Sequence, residues 1–299
     1  MTSPNALAAL SQSLARVVST AGPALLRVEG GRRHGATGIA WSAQGHVLTA
    51  AHVVEADGEE ALHVVLPDGT RAAARWVGRD AALDLALLEV QGPLQPLAHA
   101  QEAKVGQLVL ALGRPGRTVR ATLGLVSAHG EGWRTHAGGR VERYLETDAD
   151  LPRGFSGGAL VDAQGRLLGM LSAALSRHAN VVLPVETLAR VAQGLLRHGG
   201  VRRGYLGVGA YPVRLPPSHA QALKQGAGLI LHSVEPGGPA ERAGLLQGDV
   251  LVSLEGQPLE DLPDLLGFLG EERVGTRVRA QLLRAAELRE LALEVGQRP

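Results

Sequence analysis

Three residue types that together activate a serine hydroxyl occur in this chain in the order histidine, aspartate, serine. His52 follows Thr49-Ala50-Ala51, Asp84 precedes an apolar run, and Ser156 stands between glycines. A serine hydroxyl is a weak nucleophile until a neutral imidazole accepts its proton, and a carboxylate is needed to orient that imidazole and stabilise it once charged. The three residues therefore predict nucleophilic catalysis by Ser156, with His52 as the base and Asp84 as its partner.

The glycines around Ser156 fit the same chemistry. Gly154 can turn the backbone so that its N–H and the N–H of Ser156 point together at a developing oxyanion, and Gly157 and Gly158 leave room beside the nucleophile. Alone, Gly-x-Ser-x-Gly also fits the nucleophile elbow of an α/β-hydrolase, or a plain glycine-rich turn. In such a hydrolase the acid and the histidine follow the serine, whereas here they precede it, in the order of chymotrypsin-type serine proteases.

Two of these assignments have a competing interpretation. A histidine in an apolar segment is more often a hydrogen-bonded core residue than a base, so the prediction for His52 depends on its Thr-Ala-Ala-His setting. Asp80 competes with Asp84 as the carboxylate. We prefer Asp84 because the Leu-Ala-Leu-Leu run after it would bury the carboxylate beside the imidazole.

The elements that must position these residues are mostly strands. From residue 24 to about residue 183, short runs of strand-forming residues alternate with turn formers, a pattern that predicts a mainly β fold of barrel or sandwich type. A helix is expected to open at Ser3-Pro4 and to end at Gly22-Pro23, and a second is expected over residues 185–198, stopped by Gly199-Gly200. We therefore divide the chain into an N-terminal helical arm (1–22), a β-rich domain (23–199) and a small α+β domain (203–299).

The composition excludes several classes of function. The 299 residues are 45% hydrophobic and 20% charged with a net charge of +1, and no basic stripe is long enough to follow a nucleic acid. The chain has no cysteine, so disulfides, thiolate metal sites and a cysteine nucleophile are excluded, and we expect neither a metal nor a cofactor. We expect no membrane span, because no segment approaches the roughly 20 apolar residues that cross a bilayer. The first 25 residues lack the features of a signal peptide, which predicts a cytoplasmic protein, or a periplasmic one if a leader or anchor was removed.

Taken together, the motifs resemble those of the HtrA (Deg) family of PDZ serine proteases, over nearly the whole chain. The resemblance is carried by a histidine segment (48–54), an aspartate segment (84–88), a serine segment (147–160) and a further signature between them (111–116). It implies a chymotrypsin-like protease domain of two six-stranded β-barrels, with the triad in the cleft, followed by one PDZ domain.

The resemblance also implies a peptide-binding loop. The run Tyr205-Leu206-Gly207-Val208 is similar to the family's carboxylate-binding loop, where backbone N–H groups receive a peptide C-terminus and the next strand pairs with the peptide. The opposing wall is expected from the helix around Leu262, Leu265 and Leu266. The apolar side chains of both segments pack a core in either case, so the functional assignment rests on the Gly207 loop. The expected partners are unfolded polypeptides and C-terminal peptides.

Some positions depart from the family pattern. Phe155 and Pro152 replace asparagines that are usual near the nucleophile, which leaves the shape of the oxyanion loop open. Asp150 stands where trypsin-like enzymes carry the base of their primary pocket, and we expect Asp150, Ser172 and Ala174 to form the specificity pocket. A carboxylate there would favour Arg or Lys before the scissile bond, whereas the family usually prefers small aliphatic side chains.

The N-terminal arm differs as well. Residues 1–40 contain no Phe, Tyr or Trp, the residues that family trimers commonly stack near their threefold axis. Leu7, Leu10 and Leu14 offer an apolar substitute, so a homotrimer stays open.

The function expected from the sequence is a serine endopeptidase that degrades unfolded or damaged proteins in protein quality control. Its PDZ domain is expected to recognise hydrophobic C-termini and to link peptide capture to activation. One alternative is a peptide-binding holdase or adaptor with low proteolytic turnover, which Phe155 and Pro152 keep open. Another is a regulatory protease with one dedicated substrate.

Overall fold

The computed structural model of the chain describes residues 5–30, 35–54, 62–176, 178–199 and 203–297. They fall into two compact units. The first takes in the described residues up to 135 together with 139–199, and the second takes in residues 203–297 together with 136–138. Among the described residues, no helix combines the length and the apolar character that a membrane crossing requires.

The first barrel of the first unit positions the histidine and the aspartate. Its strands are β1 (Leu25–Glu29), β2 (Ala36–Ala40), β3 (His46–Ala50), β4 (His63–Val65), β5 (Arg71–Asp80) and β6 (Leu85–Val90). They close in the order β1-β2-β3-β6-β5-β4, and apolar side chains such as Leu26, Val47 and Leu88 fill the interior. The pairing of β3 with β6 ends at Ala50 and Leu85, so the residues just beyond, which include His52 and Asp84, emerge side by side.

The second barrel carries the serine loop. Its strands are β7 (Leu108–Gly113), β8 (Arg120–Gly130), β11 (Tyr144–Thr147), β12 (Ala159–Asp162), β13 (Leu167–Leu171) and β14 (Asn180–Pro184), and β9 (Trp133–Arg134) and β10 (Arg140–Val141) form a separate ribbon. The barrel closes in the order β11-β14-β13-β12-β7-β8. Leu112 of β7 pairs with Ala159 of β12, which brings the segment after β7 beside the serine loop. The predicted mainly β fold with two six-stranded barrels is confirmed.

Two helices complete the first unit. Helix α1 (Ala6–Ala21) begins after Asn5, whose side chain accepts the N–H of Leu7 at 3.1 Å, while the predicted start at Ser3-Pro4 lies outside the described residues. Helix α2 (Val185–His198) has the predicted bounds. It ends at Gly199, which takes the left-handed conformation (φ +68°) that favours glycine. Short 3₁₀ helices cover Gly22–Ala24 and Ala51–Val53.

The second unit is a small α+β fold. Its strands are β15 (Gly204–Tyr205), β16 (Val208–Arg214), β17 (Ala227–Val234), β18 (Val250–Leu254), β19 (Gln257–Pro258), β20 (Arg277–Arg284), β21 (Glu287–Glu294) and β22 (Gly296–Gln297). Its helices are α3 (Pro217–Leu223), α4 (Pro239–Arg242) and α5 (Leu262–Phe268), with a 3₁₀ helix at Glu271–Arg273. The main sheet runs β16-β17-β18-β20-β21, so β16 is an edge strand among the described strands, and α5 packs against it.

Candidate active site

His52 and Asp84 meet through two hydrogen bonds at the edge of the first barrel. The His52 Nδ1 atom lies 2.8 Å from Asp84 Oδ2, and the His52 backbone N–H donates to Asp84 Oδ1 at 2.9 Å. A carboxylate only accepts, so Nδ1 carries a proton, and in the neutral imidazole Nε2 is left with its lone pair. This is the tautomer in which the imidazole can accept a proton from a nucleophile.

Asp84 is held in place by its backbone as well as by its side chain. Its φ is +51°, a left-handed conformation that aspartate tolerates better than most residues. Its carbonyl accepts the N–H of Ala51 at 3.0 Å, and the hydroxyl of Ser172 donates to its Oδ2 atom. The Asp84 side chain is 9% exposed, so this carboxylate is buried and fully engaged.

Ser156 lies on the other side of the same cleft. Its Oγ accepts the N–H of Ala173 at 3.3 Å, and within the described residues no hydrogen bond joins it to His52. A cavity of about 340 Å³ opens beside both side chains. Its lining residues are Gly35, Ala36, His52, Val53, Leu151, Pro152, Arg153, Gly154, Ser156 and Ala173. Hydrogen bonds between a nucleophile and its base are often long in the absence of substrate, so this arrangement suits the predicted pair.

The loop before Ser156 presents two backbone donors. Gly154 has φ +89°, and a Cβ at this position would lie 2.4 Å from the Cβ of Pro115, so only glycine fits. Among the described residues, neither the N–H of Gly154 nor that of Ser156 has an acceptor. The Phe155 carbonyl, which shares a peptide with the Ser156 N–H, accepts the N–H of Gly158 at 2.8 Å. The Ser156 N–H therefore points away from Gly158.

The predicted peptide-binding loop lies at the start of β16 in the second unit. Gly207 has φ +75°, and Leu206 is 1% exposed within the core of this unit. The carbonyls of Leu206 and Gly207 accept the N–H groups of Ala240 and Glu235, both at 2.8 Å. In the described part of the chain the N–H groups of Leu206 and Gly207 have no acceptor, so they are available at the end of an edge strand.

Comparisons with known proteins agree with this architecture. The sequence model of the trypsin-like peptidase domain matches residues 36–170, and that of the PDZ domain matches residues 204–295. A probable periplasmic serine endoprotease, DegP-like, from Pseudomonas putida is 34% identical over 275 residues, which are 88% of this chain and 56% of that protein. The structure of the HtrA-type protease AlgW with a decapeptide is 30% identical, with a TM-score of 0.72, and the match covers 95% of this chain and 98% of that one.

The chain belongs to the HtrA family of PDZ serine proteases. It also resembles the serine endoprotease from Yersinia pestis, at 27% identity and a TM-score of 0.74 over 95% of this chain and 98% of that one. The chain spans between half and two thirds of the length of the curated relatives it matches.

Phe155, which stands where the family resemblance predicts an asparagine, has a defined place in the structure. The side chain is 1% exposed, packs in the core of the second barrel, and lies against Gly113, where a Cβ would come within 2.9 Å of its ring. Its N–H donates to the carbonyl of Pro152 at 3.1 Å. The Phe155 side chain therefore anchors the loop before Ser156 by burial, and its backbone adds a hydrogen bond.

Ser172, a residue predicted for the specificity pocket, turns its side chain towards Asp84. It is 2% exposed and its hydroxyl donates to the Asp84 carboxylate. Asp150 and Ala174 are exposed and do not line the cavity at Ser156, although Ala174 donates its N–H to Ser172 Oγ at 3.1 Å. The part of Asp150, Ser172 and Ala174 in specificity remains a prediction.

Some residues that contact the site could not be identified from the sequence. Ala173, which donates to Ser156 Oγ, has no side-chain chemistry that could mark it, and the contact of Ser172 with Asp84 joins residues 88 positions apart. The only sequence signal for this contact is that Ser172 directly follows a buried strand. That signal does not show in which direction the Ser172 side chain points. Among the described residues, no group of three or more His, Cys, Asp or Glu side chains could hold a metal ion.

Proposed function

We propose that this chain is a serine endopeptidase that degrades unfolded or damaged proteins in protein quality control, and that His52, Asp84 and Ser156 are its catalytic triad. The observation that carries the proposal is the pair of hydrogen bonds from His52 to Asp84, at 2.8 and 2.9 Å, in a cleft shared with Ser156. The relatives with this domain pair are named serine endoproteases, which disfavours the holdase alternative.

In this mechanism Ser156 Oγ attacks the scissile carbonyl carbon while its proton passes to His52 Nε2. The carbonyl oxygen becomes an oxyanion that the N–H groups of Gly154 and Ser156 stabilise, and each such donor is typically worth about 10²- to 10³-fold in rate. His52 then gives the proton to the leaving amine as the C–N bond breaks. A water molecule, deprotonated by His52, hydrolyses the acyl-enzyme and restores Ser156.

Asp84 keeps the proton on His52 Nδ1 throughout this cycle and stabilises the imidazolium that forms after each proton transfer. The hydroxyl of Ser172 supports this role, because it occupies a lone pair of Asp84 and keeps the carboxylate in one orientation.

We further propose that the second unit captures hydrophobic C-termini. The loop at Leu206 and Gly207 has two free N–H groups for a terminal carboxylate, and the edge strand β16 can pair with the peptide backbone. Helix α5, with Leu262 and Leu266 exposed or half-buried, would supply the opposing apolar wall. Capture of a peptide would be linked to activation of the protease domain.

The remaining assignments belong to the same proposal. We keep the division into an arm (1–22), a protease domain (23–199) and a PDZ domain (203–299). The relatives' names favour a periplasmic setting over the cytoplasmic one expected from the sequence. A homotrimer is supported only by exposed apolar residues of α1, where Leu7 is 72% and Leu10 42% exposed.

Hydrolysis of a denatured protein tests the proposal, with the wild type compared with Ser156→Ala and with Ser218→Ala as a matched exposed control. We expect Ser156→Ala to lower kcat about 10⁶-fold, as in other triads, and Ser218→Ala to leave it unchanged. Cleavage by Ser156→Ala at near the wild-type rate would contradict the triad. In parallel, a peptide with a hydrophobic free C-terminus should bind and its C-terminal amide should not.

A further inference from the structure

Thr37 of β2 makes two hydrogen bonds to the serine loop and one to the segment after β7. Its hydroxyl donates to the Gly154 carbonyl at 2.6 Å and accepts the N–H of Arg114 at 2.8 Å, and its own N–H donates to the Ser156 carbonyl at 3.3 Å. The residue is 0% exposed. One residue of the first barrel therefore holds the backbone on both sides of Phe155 in the second barrel.

These contacts fix the orientation of two peptide planes. The Gly154 carbonyl shares a peptide with the Phe155 N–H, which donates to the Pro152 carbonyl at 3.1 Å. The Ser156 carbonyl shares a peptide with the Gly157 N–H, which donates to the Leu171 carbonyl at 2.8 Å. Because a peptide is planar and trans, a plane held at both its carbonyl and its N–H cannot rotate without breaking a hydrogen bond.

The hydroxyl of Thr37 is the part that a purely apolar side chain cannot replace. It donates one hydrogen bond and accepts another at the same time. Without it the partly buried Gly154 carbonyl and the buried Arg114 N–H would both lose these partners. Gly154 has no Cβ, so its backbone can turn to other conformations with little steric resistance. The peptide held by the hydroxyl, Gly154–Phe155, lies between the two peptides that carry the Gly154 and Ser156 N–H groups, so its rotation would change the angle between those two donors.

Thr37 is itself held in register by its neighbours. The hydroxyl of Thr49 donates to the Thr37 carbonyl at 2.7 Å, and both threonines are fully buried. A Cβ at Gly157 would lie 2.1 Å from that same carbonyl, so the serine loop packs directly on the Thr37 backbone. The backbone of Thr37 is therefore fixed against both Thr49 and the serine loop.

We propose that Thr37 is a positioning residue whose hydroxyl fixes the Gly154–Phe155 peptide, and thereby the relative orientation of the Gly154 and Ser156 N–H groups that the oxyanion hole requires. The inference rests on the proposed serine endopeptidase function, and it concerns the chemical step rather than peptide binding. It therefore predicts a loss in kcat with little change in KM.

The test compares Thr37→Val, which keeps the shape and removes the hydroxyl, with Thr37→Ser, which keeps the hydroxyl. Thr187→Val is the matched control, because Thr187 is also 0% exposed and its hydroxyl also both donates and accepts, to and from Glu142. The readouts are kcat and KM on a peptide substrate, the rate at which a fluorophosphonate labels Ser156, and the affinity for a peptide boronic acid, each per folded molecule.

We expect Thr37→Val to lower kcat and the labelling rate about 10²-fold, the loss typical of one oxyanion donor, with KM changed less than about threefold. The boronic acid should lose affinity in parallel. Thr37→Ser and Thr187→Val should stay near the wild type. If Thr37→Val does not fold, Thr37→Ala against Thr37→Ser gives the same contrast, since those two variants differ only in the hydroxyl.

Two failures can be told apart. If the wild type is not labelled at all, the proposed function is wrong and the inference is wrong with it. If the wild type is labelled and Thr37→Val is labelled as fast, or if Thr187→Val loses as much as Thr37→Val, the inference alone is overturned.

Discussion

Two loops of this chain each present backbone N–H groups around a glycine of positive φ, but they are built differently. At Gly154 a Cβ would lie 2.4 Å from Pro115, and the adjacent Phe155 is buried. At Gly207 a Cβ would come no closer than 3.3 Å, to the Cβ of Glu235. Hydrogen bonds to carbonyls hold both loops, but only the first is also packed closely against neighbouring atoms at its glycine.

The difference fits the two proposed tasks. Donors that stabilise an oxyanion must already be fixed when charge develops in the transition state, because reorganising them then would raise the barrier. Donors that receive a peptide carboxylate need an open approach beside a free strand edge. Packing is therefore expected to matter more to function in the serine loop than in the Gly207 loop.

Phe155→Ala should have the largest effect, because it removes the buried side chain that anchors the serine loop. We expect it to lower the free energy of unfolding of the first unit by about 3–5 kcal/mol, the usual range for a buried phenylalanine. The three tryptophans, Trp41, Trp76 and Trp133, all lie in the first unit, so their fluorescence in urea follows that unit.

The other phenylalanine of the chain, Phe268, gives the matched control. It is 5% exposed in the core of the second unit. Phe268→Ala should leave the tryptophan transition unchanged. A fall of less than about 1 kcal/mol for Phe155→Ala would show that burial does not anchor the serine loop.

Gly154→Ala should break the serine loop locally. The added methyl group collides with Pro115 and disfavours φ +89°, so the N–H of residue 154 leaves its position. We expect kcat to fall about 10²- to 10³-fold, as for the loss of one oxyanion donor. Gly92→Ala carries the same conformational penalty at φ +104° with no atom within 4 Å, and it should leave kcat unchanged.

Gly207→Ala should have a smaller effect, in line with the open loop. The strain of a left-handed alanine is roughly 1–2 kcal/mol, which corresponds to about a 5- to 30-fold weaker Kd for a C-terminal peptide if binding requires this conformation. Isothermal titration calorimetry measures this Kd. Gly237→Ala, at φ +72° with no atom within 4 Å, is the control and should bind normally. If the Kd rises equally in both variants, the Gly207 loop is not the part of the unit that binds the peptide.

The smallest expected effect is a loss of stability of the first unit in acid, which concerns Glu142 and neither of the two loops. Burial raises the pKa of Glu142, but hydrogen bonds from Arg190 and Thr187 outweigh it, so this pKa lies below the usual 4.5. A carboxyl whose pKa is lowered by folding stabilises the protein above pH 4.5, and that stability is lost as the pH falls from 4.5 through the folded-state pKa.

Glu142→Gln should therefore flatten the fall in melting temperature of the first unit below pH 4.5. The rate at which folded molecules are labelled at neutral pH should not change. If the melting temperature of Glu142→Gln falls with pH as steeply as that of the wild type, other carboxyl groups cause the loss of stability in acid.

The sequence predicted best what depends on local strings of residues. Helix α2 was predicted with its observed bounds because an apolar stripe, a basic last turn and Gly199 all lie within one segment. The mainly β character followed from the short strand-forming runs and their turns. The count of six strands per barrel came from the family resemblance and not from the residues themselves.

Contacts between distant residues could not be predicted in the same way. The bond from Thr37 to Gly154 spans 117 positions, and the turn of Ser172 towards Asp84 spans 88. Both hydrogen bonds depend on how the two barrels pack together. A single sequence contains no local signal for that packing. The positions of His52, Asp84 and Ser156 were found because each lies in a recognisable segment, and their catalytic roles remain predictions.

Labelling with a fluorophosphonate, read by intact mass, tests the central claim most directly. We predict one adduct on the wild-type protein, no adduct on Ser156→Ala, and faster labelling when a peptide with a hydrophobic C-terminus is added. No adduct on the wild type, with or without the peptide, would contradict an assembled triad and oxyanion hole and would favour a peptide-binding protein without proteolytic turnover.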